Sequence, residues 1–193
     1  MNKYFQPLIA AAFIAVIAVG CASSPAKFYT LNATAKSDGS TASSDTIVVG
    51  PITIPAEVDR PQFTVQVAPN RVAIDEFNRW AAPLPDNIAR VVAENLAALL
   101  GSPRVTVGSS ANVYPAYRVA IDIEKFESVP GQSVQIKAAW LIRKLAGGVV
   151  TGVTQTTEPV TDEGCAALAA AHSRALARVS DDIAAAIRAS GGS

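Results

Sequence analysis

Two combinations of side chains in this sequence could do chemistry. Cys165 and His172 are the ingredients of a thiolate nucleophile and its base, and His172 is the one histidine in the chain. A base must sit about 3 Å from the thiol it deprotonates. Seven positions apart on one helix, the two side chains lie about 10.5 Å apart along its axis at 1.5 Å per residue, so they do not meet. The second combination is paired acids. Asp75 and Glu76 are neighbours in a strand-like run and point to opposite faces, while Asp181 and Asp182 are neighbours in a helical run and point about 100° apart. Neither pair converges on one substrate atom. The sequence also lacks G-x-S-x-G, S-x-x-K, G-x-x-x-x-G-K and H-E-x-x-H. No catalytic residue is assigned, and the expectation is a protein that is not an enzyme. One histidine and two cysteines cannot supply a His/Cys-rich metal site, so neither metal nor cofactor is expected.

Cys21 points to a different chemistry, that of lipid attachment. Lys3 precedes an apolar run of 12 residues, 8–19, shorter than the roughly 20 a bilayer-spanning helix needs. The run ends in Ala18-Val19-Gly20-Cys21, a lipobox-like sequence with Ala18 where Leu is usual. Residues 1–20 therefore read as a lipoprotein signal peptide that is removed. The Cys21 thiol takes a diacylglycerol, and the new amino terminus is acylated. The alternative is an ordinary secreted protein cut near Ala22. Ala22 in place of Asp lacks the usual inner-membrane retention signal, which favours the outer membrane with the protein facing the periplasm. Lipidation of Cys21 leaves Cys165 without a disulfide partner, so its thiol reads as a small buried hydrophobe. Sixteen basic and sixteen acidic residues give no net charge and form no basic patch, which argues against nucleic acid as a partner.

The elements that position these residues follow from periodicity. Residues 21–27 form a lipidated tether, and residues 28–193 are expected to form a single domain. Residues 28–31 are β-prone, and the Ser/Thr/Asp-rich residues 32–45 read as a mobile loop. Residues 46–54 read as a strand kinked by Gly50-Pro51 or lying at an edge. Residues 62–68 alternate and pair with 72–77 through Pro69-Asn70-Arg71 as a hairpin. Ile88, Val91, Val92, Leu96, Leu99 and Leu100 form the apolar stripe of a helix over 86–100, which Gly101 ends. A short strand over 104–108 precedes a meander over 116–128, 132–145 and 149–157. The last helix, 162–190, carries Cys165, Leu168, His172, Leu176, Val179, Ile183 and Ile187 on one stripe. The fold class is α+β, a mostly antiparallel sheet with two long amphipathic helices packed on one face.

Two Pro- and Arg-bearing loops flank the hairpin. One is Pro55-Ala56-Glu57-Val58-Asp59-Arg60-Pro61, and the other runs from Phe77 through Arg79 and Trp80 to Leu84. Turn geometry and a core tryptophan explain them in one way. A surface for a partner or a second subunit explains them in another, because Trp and Arg are enriched among interface anchors. Arg60, Arg79 and Trp80 are the residues expected to make that contact.

At these residues the chain resembles the ABC-type transport auxiliary lipoproteins, the PqiC-like lipoproteins of intermembrane transport. The resemblance rests on Cys21, Phe28-Tyr29-Thr30-Leu31, Val48-Val49-Gly50-Pro51 with Ile54-Pro55, Asp59-Arg60-Pro61-Gln62 and Phe77-Asn78-Arg79-Trp80-Ala81-Ala82-Pro83-Leu84. The helix over 87–100 and the Ala-rich last helix through Ala171-His172-Ser173 add to it. It implies a non-enzymatic, periplasm-facing accessory lipoprotein of the outer membrane. It further implies an MCE-domain protein as partner in lipid transport, often with an ABC-type permease, a homo-oligomer, and phospholipid as the molecule handled. The competing expectations are a structural envelope lipoprotein that scaffolds outer-membrane or cell-wall assembly, and a periplasmic hydrolase.

Overall fold

Alternating apolar residues build a five-stranded sheet, and two helices cover its apolar face. The structure is a computed structural model that describes residues 24–37, 39, 42–108 and 114–191. The expected signal peptide and Cys21 lie outside the described residues. The elements in chain order are β1 (Lys27–Tyr29), β2 (Ile47–Thr53), β3 (Gln62–Ala68), β4 (Arg71–Trp80), α1 (Leu84–Leu100), β5 (Val105–Val107), β6 (Tyr117–Val129), β7 (Ser133–Lys144), β8 (Val149–Pro159) and α2 (Cys165–Gly191). The strands form a small sheet in the order β1-β4-β3 and a large one in the order β5-β2-β6-β7-β8.

The meander β6-β7-β8 is antiparallel, as its period-two pattern and tight turns require. Val119, Ile121 and Ile123 of β6 lie opposite Ile142, Trp140 and Ala138 of β7, and all six are buried. The sheets are nevertheless mixed. β2 runs parallel to both β5 and β6, and β1 runs parallel to β4. Alternation reports which face of a strand is buried, not the direction of its partner. The direction here follows from the connection: the hairpin and α1 lie between β2 and β5, a crossover long enough to return the chain parallel.

β2 is kinked as expected, with a register shift between Val49 and Ile52 around a cis Gly50-Pro51 bond. It is not an edge strand over its first half, where β5 and β6 flank it. The β5 pairing ends at Val49, so Pro51, which has no N–H, sits where none is needed on that side.

Both helices pack on the large sheet, α1 over β2 and β5 and α2 over β7 and β8, and they also pack on each other. Leu168, Leu176, Val179 and Ile183 of the α2 stripe are fully buried, each contributing about 1.5–3 kcal/mol. Helix α1 starts at Leu84, with Pro85 in its first turn, where a missing N–H is harmless. Gly101 closes it with φ 59°. Asp162 does not cap α2 directly; its carboxylate accepts the Gly164 N–H at 2.7 Å in the turn that leads into the helix.

The polar segment after β1 departs from the expected mobile loop. Its first part is strapped across both helices. The buried Asn95 side chain of α1 accepts the N–H groups of Thr34 and Ala35, each at 3.0 Å, and Ser173 of α2 accepts the Asn32 N–H at 3.1 Å. Leu31 is fully buried beneath. Composition marks this segment as unable to form a core of its own, but side-chain amides and hydroxyls on neighbouring helices satisfy its backbone instead.

Candidate functional site

The loop around Arg60 and Pro61 meets the end of β4, which runs on through Arg79 to Trp80 where a loop was expected. The Trp80 N–H donates to the Pro61 carbonyl at 2.7 Å, and the Ala81 N–H donates to the Tyr29 carbonyl at 2.8 Å. Three separate segments, at residues 29, 61 and 80–81, are thereby tied together, and Arg60 and Arg79 flank the junction.

Trp80 sits inside this junction. Its ring stacks on Phe63 with centroids 4.1 Å apart and meets the edge of Phe126 at 6.3 Å. Tyr29 packs edge-on to Phe63 at 5.3 Å, and Phe126 lies flat on His172 at 3.8 Å. A continuous aromatic file therefore runs from the small sheet through the large one to α2. At 6% exposure Trp80 presents almost no ring to solvent. It supports the surface that Arg79 occupies and is not itself that surface.

Arg79 is half-exposed. Its Nε donates to the Glu76 carbonyl at 3.0 Å, and its guanidinium lies 3.9 Å from the Glu76 carboxylate. An exposed pair of this kind contributes little to stability and leaves the cation open to a partner. Arg60 is half-buried, and its Nε is buried without a partner among the described residues. A buried N–H of this kind is a cost to the fold, and any contact with a partner falls to the exposed remainder of the side chain.

Beside Arg79, β4 carries a bulge: Phe63 pairs with Asp75, whereas the preceding Gln62 pairs with Arg79. Asp75 shapes it by accepting the N–H groups of Phe77 and Asn78 at 3.0 Å each and the Asn78 side-chain amide at 2.7 Å. Tyr29 in turn donates to Asn78 at 2.7 Å. Burial pushes the Asp75 carboxyl up, but the hydrogen bonds from Asn78 and from the two backbone N–H groups, helped by Lys27, outweigh it and hold the pKa below its ordinary value. This acid is structural.

Cys165 and His172 lie on α2 as expected and do not form a pair. Burial, then the charge of Asp75, raises the Cys165 pKa, with Lys27 opposing, so nothing generates a thiolate. His172 is fully buried, and desolvation lowers its pKa to about 3. One ring nitrogen, Nε2, shares a 2.8 Å hydrogen bond with Ser128, and Nδ1 has no partner among the described residues. A neutral, stacked imidazole of this kind packs and orients. Asp181 and Asp182 also diverge: Asp181 faces Arg178 at 4.0 Å, and Asp182 accepts the Thr154 hydroxyl at 2.6 Å. Among the described residues there is no cluster of three or more His, Cys, Asp or Glu side chains placed to hold a metal. No described helix is long and apolar enough to cross a membrane.

Among the open grooves of the described residues, two bear on ligand binding. One, of about 630 Å³, runs between the strap and α2 and is lined by Lys36, Glu158, Arg174, Arg178 and Asp181, with Arg174 and Glu158 paired at 3.1 Å. The other, of about 450 Å³, is apolar and lies on the outer face of the large sheet over Pro51, Ala120, Ala139, Leu141 and Val153. Both are surface grooves, not enclosed lipid chambers.

Sequence reasoning missed the aromatic file and the Asn95 strap. Each left a signal. Ile123 and Phe126 are three apart in a strand of period two, which marks the bulge that turns Phe126 inward onto His172. Asn95 interrupts the apolar side of α1, and a polar residue there must find partners.

A family model described as the ABC-type transport auxiliary lipoprotein component matches residues 29–184. The chain belongs to that family. The match spans all the regular elements except part of β1 and the last turns of α2, so the auxiliary-lipoprotein fold covers both sheets and the aromatic junction. Among solved structures, protein XCC0632 from Xanthomonas campestris is 20% identical over 81% of this chain and 92% of its own, with a TM-score of 0.66. A crystal structure described only as an uncharacterized protein is 17% identical over 85% of this chain and 99% of its own, with a TM-score of 0.69. At these identities the likeness is one of fold. No curated protein matches the chain. The family is described as a transport component, and the description names no reaction.

Proposed function

We propose that this auxiliary lipoprotein is lipidated at Cys21, anchored in the outer membrane facing the periplasm, and acts without catalysis beside an MCE-domain protein in intermembrane lipid transport. The single observation that carries the proposal is membership of the transport auxiliary family across nearly the whole folded domain. The lipobox-like run ending at Cys21 supports the anchor. The buried, neutral His172 and the unactivated Cys165 agree with a role that uses contact in place of chemistry.

In this proposal the protein works as a homo-oligomer with Arg60 as its subunit and partner-protein contact, while Arg79 is a contact for the phospholipid partner. Arg60 brings a half-buried guanidinium, Arg79 brings a half-exposed cation, and Trp80 holds the strand end that presents Arg79. Phospholipid is the molecule the assembled system handles.

The test is to purify tagged protein from detergent-solubilised envelopes and to measure both the mass of its mature amino terminus and the identity of co-purifying proteins. A triacylated Cys21 recovered from outer-membrane fractions with an MCE-domain protein supports the proposal. An unmodified terminus, or recovery with cell-wall and barrel-assembly components alone, favours the secreted or scaffolding alternative.

A further inference from the structure

The small sheet places its apolar side chains on both faces, which the aromatic junction does not require. On one face Tyr29, Phe63 and Trp80 enter the core. On the other, Phe28 is 64% exposed and Phe77 is 50% exposed. Phe28 pairs with Arg79 across β1 and β4, one step out of phase with the inward pair Tyr29 and Trp80, so it points away from the core. Phe77 lies two residues before Arg79, within the bulge, and takes the same side. Ile74, 43% exposed, pairs with Thr64, out of phase with the inward Phe63–Asp75 pair. Two aromatic rings and an isoleucine thus share one outward face.

The position of this face in the chain indicates what covers it. β1 is the edge strand of the small sheet and begins six residues after Cys21. At no more than about 3.6 Å per residue, those six residues span roughly 22 Å. The exposed apolar residues of the large sheet, Val107 on β5 and Val149 and Val153 on β8, lie on its two edge strands and have no such short connection along the chain to the anchor.

We propose that the outward face of the small sheet, carrying Phe28, Ile74 and Phe77, docks on the phospholipid surface that holds the anchor. This inference rests on the lipidation of Cys21 proposed above. Aromatic rings favour the boundary between headgroups and acyl chains, and a face held within a tether's length of that boundary gains from burying them there. The acyl chains would then supply attachment and the sheet face orientation, so the domain would sit on the membrane in a single pose with the opposite face of the fold turned to the periplasm.

The test uses the full lipidated chain, with Cys165→Ser so that the probe reacts at one introduced position. An environment-sensitive fluorophore is placed in turn through Phe28→Cys, Phe77→Cys and, as a control on the large sheet, Val153→Cys. The chain is reconstituted in phosphatidylethanolamine–phosphatidylglycerol vesicles with brominated acyl chains. All three labelled positions are exposed, so labelling leaves the core intact. The expected result is a loss of emission of about two-fold or more at 28 and 77, as for groups at the acyl boundary, with no change at 153. A chain whose mass shows lipidated Cys21 but whose probes at 28 and 77 are unquenched overturns the docking face and leaves the anchor standing. Cross-linking of position 77 to a second copy without quenching assigns the face to self-association and also overturns it. A chain found unlipidated in its native envelope overturns both proposals together.

Discussion

The Phe126 ring lies flat on the His172 imidazole, 3.8 Å between centroids and 5° from parallel. The contact joins β6 to α2 at the buried end of a file that begins at Tyr29. It explains why the one histidine of the chain is fully desolvated and why its pKa falls to about 3. It also sets the acid limb of stability. Below the ordinary histidine value of 6.5 the unfolded chain binds a proton that the folded chain refuses, so stability falls as pH drops from about 6.5 towards about 3, by up to roughly 1.4 kcal/mol per pH unit. Urea midpoints measured across that range should slope downward, and the double variant His172→Phe with Ser128→Ala should flatten the slope while keeping the stack. An unchanged slope would locate the acid sensitivity elsewhere.

Asp75 adds a second acid dependence at lower pH. Its folded pKa is depressed, so its contribution is present above the unfolded value of 3.8 and is lost as pH falls through the folded one. Asp75→Asn should therefore be less stable than the parent at neutral pH and should converge with it in strong acid. Paired thermal melts at the two pH extremes read this directly.

Trp80→Ala removes the ring that joins the two sheets and should cost about 3–5 kcal/mol in chemical unfolding, as for a large aromatic taken from a core. Arg79→Ala, at the neighbouring position, should stay within about 0.5 kcal/mol of the parent and should act on membrane contact instead. Equal stability losses for the two would mean that Arg79 is also a packing residue.

Gly152 lies beneath Trp140 in the pairing of β8 with β7, and a β-carbon there would come within 2.1 Å of the indole. The Trp140 N–H donates to Thr154 at 3.1 Å, and Thr154 donates to Asp182 of α2. Gly152→Ala should therefore displace the indole and cost about 1–3 kcal/mol as an overpacked core. Trp140→Leu should recover part of that loss when combined with it, which a double-mutant cycle measures.

Asn95→Leu leaves the Thr34 and Ala35 N–H groups without their acceptor, at about 1–3 kcal/mol for stranded donors. Hydrogen exchange should accelerate at those two amides while the α1 amides remain protected. Uniform acceleration would instead indicate global unfolding.

The amphipathic helices, the hairpin and the meander were legible because each rests on local periodicity. The 3.6-residue stripe of Leu168 to Ile187 and the strict alternation from Tyr117 to Ile123 have only one way to be buried. What periodicity does not carry is strand direction and the partners of isolated polar groups. The parallel pairing of β2 with β5 and β6 depends on a crossover, and the strap over 32–35 depends on Asn95 and Ser173, both far from it in sequence. Within the candidate site, Arg60 was legible as a loop residue, whereas Arg79, expected in a loop, lies in β4, whose alternation continues past the expected end of the hairpin. The inward position of Trp80 was not legible, because a tryptophan at the end of a strand has the same sequence signature whether it faces a partner or Phe63.

The central claim is that this lipoprotein serves a transport complex through contact. The most direct measurement places a photo-activated cross-linker at Arg60 in intact cell envelopes and identifies the captured protein by mass spectrometry. The account predicts capture of an MCE-domain protein, with capture lost when Cys21→Ser removes the anchor. Capture of cell-wall or barrel-assembly proteins alone would contradict it and assign the fold to a scaffold.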